Sequence, residues 1–97
     1  MLKRITLAEY KANHTVTSSG VSTVDMYWSL IQYKLYNIVI CKDTSFNAVE
    51  DTISDANWAL QHIDIVYKYG NKTPILEAYR QQLLFIIKKL ESLEKHS

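Results

Sequence analysis

Cysteine, proline and glycine are scarce in this chain, with one Cys, one Pro and two Gly among 97 residues. A lone cysteine, Cys41, excludes an intrachain disulfide framework and fits a reducing, cytoplasmic setting. So little Gly and Pro counts against an all-β fold, whose tight turns need both. Gly20 and Gly70 stand far apart, so there is no glycine-rich phosphate loop. No apolar run approaches the ~18 residues of a membrane span. The first residues, Met1 to Thr6, carry charge without the apolar stretch of an export signal. Paired cysteines, a His-Glu-x-x-His motif and a Glu-x-x-His pair are all missing, so no metal site or other cofactor is expected. His14, His62 and His96 are scattered, and Cys41 follows the apolar run Ile38-Val39-Ile40, where a thiol is buried and inert. The expectation is a protein that is not an enzyme.

What is present is an ordinary globular balance, 47% apolar and 22% charged, in a chain of single-domain length. The whole of 1–97 is read as one helical domain with a mobile linker at 13–22, which is small, polar and β-branched. Net charge is +1, too small for a global field that would select nucleic acid or membrane. The charge is segregated, however. Residues 1–42 carry +3, residues 43–64 carry −5 with no Lys or Arg, and residues 65–97 carry +3. An acidic middle between basic ends serves either a compact fold or a bipolar surface for assembly.

Hydrophobic periodicity predicts an all-α fold: three long helices at about 23–41, 46–69 and 74–95, and a short N-terminal helix at about 7–12. Thr6 and Glu9 form a capping box for the short helix, with Ile5 and Tyr10 as its apolar staple. Val24, Trp28, Ile31, Leu35 and Ile38 make the seam of the next helix, which starts at Ser22 or Thr23. Residues 36–41 have strand propensity too, but a lone strand has no partner, so helix is preferred. The third helix, capped by Thr44 or Ser45, has the seam Phe46, Val49, Ile53, Ala56, Leu60, Ile63, Tyr67 and stops at Gly70. The last, with Thr73 as cap and Pro74 in first position, has the seam Leu76, Tyr79, Leu83, Ile86, Leu90, Leu93. The short turn between them makes these two helices an antiparallel hairpin in the bundle.

These seams do not use all the apolar side chains. Tyr27, Leu30, Tyr33 and Tyr36 widen the stripe of the second long-range element, and Leu84 and Ile87 do so on the last. The excess has to cover another element, a second copy or a partner. These six residues are therefore the candidate partner or oligomer interface of a non-enzymatic module that self-associates and binds or inhibits a protein. The alternative is a small-ligand or nucleotide sponge or sensor, with Lys72, Thr73, Arg80 and Tyr69 as ligand-binding residues at a subunit interface. Sequence-specific nucleic-acid binding is not expected, because no basic recognition helix follows a tight turn. In size and helical organisation the chain resembles small bacterial or phage-encoded binding proteins, such as bacteriocin immunity proteins and anti-defence inhibitors. That likeness, of architecture alone, implies binding of a protein partner.

Overall fold

The computed structural model describes residues 5–15, 17–43 and 45–95. It is all-α: α1 (Leu7–Asn13), α2 (Ser22–Val39), α3 (Phe46–Lys68) and α4 (Pro74–Lys95). The Cα framework measures 44 × 33 × 17 Å, a shallow layer with α3 in the middle. Both α2 and α4 pack along α3, and α1 lies on α2.

Local chemistry accounts for each boundary. The Thr6 hydroxyl accepts the Glu9 N–H and donates to the Glu9 carboxylate, each at 3.2 Å. The second arm of the expected box therefore ends on the hydroxyl. As expected, α2 starts at Ser22; its cap residue is Val21, which supplies no side-chain cap bond. Asp25 reaches back instead and accepts the Ser19 N–H at 2.8 Å and the Ser18 hydroxyl at 3.3 Å. This helix ends earlier than expected, at Val39, because Lys42 adopts a left-handed backbone (φ 59°) and the Asp43 N–H closes on the Asn37 carbonyl at 2.9 Å. Ser45 caps α3 by accepting the Ala48 N–H; Thr44 lies outside the described residues, as does the side chain of Phe46. Gly70 stops α3 with φ 87°, the left-handed turn that a residue without Cβ adopts freely. Its N–H reaches the Tyr67 carbonyl and that of Asn71 reaches Val66, the paired bonds of a Schellman end.

The core forms where the three long helices converge. Val24, Trp28 and Ile31 of α2 meet Ala56, Ala59 and Ile63 of α3 and Leu76, Tyr79 and Leu83 of α4. A second cluster at the far end joins Ile38, Val49 and Leu90. The Trp28 and Tyr79 rings stack at 4.3 Å and 12°, bridging α2 and α4 over the small side chains of α3. The seam of α3 is rotated from the expected one. Thr52 and Ala59 are fully buried, whereas Ile53, Leu60 and Tyr67 are only half-buried. A helix flanked on two sides has a wider buried arc than one heptad seam describes. Among the described residues, no helix is long and apolar enough to cross a membrane.

The 14–21 connection is held at several points. The Tyr79 hydroxyl donates to the Thr17 carbonyl, and Ser19 is buried with its hydroxyl bonded to Val21.

Candidate functional site

The ten residues singled out from the sequence fall into different surroundings. On α2, Tyr27, Leu30, Tyr33 and Tyr36 are all half-buried. Tyr27 packs on the core and meets the His62 ring at 5.6 Å. Tyr33 and Tyr36 lie beneath α1, where Tyr10 meets them edge-on at 6.2 and 5.9 Å and His14 stacks on Tyr10 at 4.0 Å. The N-terminal helix thus takes up part of the apolar excess. Asn37, buried below it, accepts the Ile5 N–H at 3.3 Å. On α4, Ile87 packs against the core while Leu84 is 42% exposed.

The four ligand candidates divide likewise. Lys72 and Thr73 line a cleft of about 420 Å³ with Ser19, Gly20, Asn71 and Leu76, between the turns at one end of the bundle. Their groups have intramolecular partners: Thr73 Oγ1 accepts the Leu76 N–H at 3.2 Å, and Lys72 Nζ stands 5.4 Å from the Tyr67 ring centre. Arg80 Nε lies 3.4 Å from an Asp64 carboxylate oxygen. Tyr69 projects into solvent, 77% exposed, away from the cleft lining. Beside them, the Tyr67 hydroxyl donates to Glu77 at 2.8 Å, and Gln81 donates to the same carboxylate at 3.0 Å. Burial and the bonded Glu77 carboxylate push the Tyr67 phenol up to about 12. Hydrogen bonds from Gln81 and Tyr67 hold Glu77 below its ordinary value. Among the described residues, no three His, Cys, Asp or Glu gather in a way that could hold a metal ion.

The largest unpartnered feature lies on the solvent side of α3. Trp58, Ile65 and Tyr69 are 50%, 53% and 77% exposed. Steps of seven and four place them on one stripe, opposite the buried arc of Ala56 and Ile63. His62, on the same stripe's edge, donates from Nδ1 to the Trp58 carbonyl at 2.9 Å. Lys34 bonds Asp55 at 2.5 Å, and this pair and Tyr27–His62 set the antiparallel register of α2 on α3. Met26 on α2 is also exposed. A hollow of about 350 Å³ beside Trp58 is lined by Glu50, Ile53, Ser54, Asn57 and Gln61.

The apolar residues exposed on α4 are arranged differently. Leu84 and Phe85 are neighbours in sequence, so they point about 100° apart. Phe85 is screened by Lys89, whose Nζ is 5.4 Å from its ring centre. Trp58 and Ile65 stand outside the dense apolar runs that carry the interface expected from the sequence. Their spacing, opposite the α3 seam, is the signal that marks them. Compared with protein families, with curated protein sequences and with solved structures, the chain finds no match.

Proposed function

We propose that this chain is a non-enzymatic, cytoplasmic protein-interaction module that self-associates and binds a protein partner. The observation that carries the reading is the exposed stripe of Trp58, Ile65 and Tyr69 on α3. Large side chains in a contiguous row are what binding surfaces present, whereas isolated exposed apolar residues are ordinary. Aromatic anchors such as Trp and Tyr also dominate interface energetics. Leu84 and Phe85, on a different helix, remain available to a partner of unrelated sequence.

The ligand-binding alternative has the weaker support. The cleft holding Lys72 and Thr73 is open, but Thr73 and Arg80 already bond within the chain, Lys72 lies against the Tyr67 ring, and Tyr69 is not among the cleft's lining residues. Light scattering over a concentration series tests the main reading. A mass that rises above 11.3 kDa with concentration is expected; that monomer mass throughout refutes self-association. A nucleotide melting screen tests the alternative. No shift is expected, and stabilisation by several degrees would favour ligand binding, since a ligand for the native state raises its stability.

A further inference from the structure

We infer that a second copy of this chain docks antiparallel along the outer stripe of α3, about a two-fold axis beside residues 60 and 61. The placement rests on the self-association proposed above and adds the surface, the direction and the register.

The basis is a palindromic pattern on the exposed side of α3. Trp58 and Ile65 are separated by seven residues and lie within about 20° of one another around the helix. Asp51 and Tyr69 are eighteen residues apart, five full turns, and so share one azimuth; Glu50 and Lys68 share another. The midpoints of these three pairs all fall within residues 59–62. A two-fold axis at that level sets each residue against its counterpart's position on the other copy. Trp58 then meets Ile65 of the second copy, and Asp51 meets the Tyr69 hydroxyl. Glu50 meets Lys68. All of Glu50, Asp51, Ile65, Lys68 and Tyr69 are exposed in the single chain.

Charge decides the direction. The first half of α3 carries Glu50, Asp51 and Asp55 without a Lys or Arg, and its last residue is Lys68. A parallel pairing would set acid on acid and base on base. The antiparallel one sets acid on base at both ends and also opposes the helix dipoles. The hollow beside Trp58 sits at the acidic end, where the Lys68–Tyr69 end of the second copy would enter it. At 150–250 Å² per whole ring, the exposed parts of Trp58 and Tyr69 offer on the order of 250 Å². That is roughly a third of the ~800 Å² per partner in a standard interface. Ile65 and the charged rim enlarge it, so the dimer is expected to be of micromolar strength.

Cross-linking combined with light scattering tests the arrangement. Gln61→Cys places a thiol beside the axis, about 2 Å along it from its mate, whereas Asn47→Cys lies about 40 Å from its own mate. Both positions are exposed, and the native Cys41 is buried, with wild type as background. A short bismaleimide should trap Gln61→Cys as a covalent dimer and leave Asn47→Cys monomeric. Trp58→Ala, with circular dichroism unchanged, should weaken the dimer at least about ten-fold. Glu50→Lys should weaken it too, and adding Lys68→Glu should restore it. A dimer in which both cysteines cross-link, or Gln61→Cys does not, overturns this placement while self-association stands. A monomer at every concentration overturns both.

Discussion

Replacing Leu83 and, separately, its neighbour Leu84 with alanine removes the same atoms from adjacent positions on α4. Leu83 is 0% exposed among Ile31, Ile63 and Leu76, whereas Leu84 is 42% exposed. At the first site the loss combines transfer of the buried carbons to water with the void left between three helices. The expected cost is about 3–5 kcal/mol. At the second no closed void forms, only part of the side chain was dry, and alanine has the higher helix propensity. The expected cost there is about 0–1 kcal/mol. A domain of this size has about 5–15 kcal/mol in total, so Leu83→Ala removes a large share and Leu84→Ala little. Each kcal/mol moves the melting temperature by about 4–8 °C, which separates the two by about 8 °C or more. Urea unfolding followed by far-UV circular dichroism measures both costs. All variants are compared at one low protein concentration, because association stabilises the folded state. Costs within about 0.5 kcal/mol of each other would refute the assigned core face of α4.

Two further expectations follow from contacts in the bundle. The stacked Trp28 and Tyr79 rings should show a coupling of about 0.5–1.5 kcal/mol in a double-mutant cycle, and a coupling indistinguishable from zero would mean they do not bridge α2 and α4. Tyr67, raised to about 12, should contribute stability that is complete below the unfolded tyrosine value of ~10 and lost as pH rises through the folded one. Glu77, lowered, contributes the opposite limb, present above the unfolded carboxylate range and lost as pH falls through its folded value. An ultraviolet titration should therefore show one tyrosine ionising near 12 that disappears in Tyr67→Phe; an unchanged titration curve would exclude the assignment.

The four helices were legible in the sequence because each signal is local. Thr6, Ser45 and Thr73 are caps by the reach of a hydroxyl to an N–H three residues on. Gly70 ends α3 because its backbone must turn left-handed. The seam of α2, and that of α4 as far as Leu90, were also readable, since each of those helices has one main buried stripe; Leu93, expected to continue it, is exposed. What periodicity left undecided is how many neighbours a helix has. The middle position of α3, with α2 on one flank and α4 on the other, buries Thr52 and Ala59 and leaves Ile53 and Leu60 at the edge. The tyrosine excess on α2 needed the same knowledge, because α1 covers Tyr33 and Tyr36 through contacts with a residue more than twenty positions earlier. An exposed stripe is defined by what fails to pack against it. Trp58 and Ile65 have the composition of core residues; their spacing sets them opposite the α3 seam, and the packing of α2 and α4 on the other faces leaves them exposed.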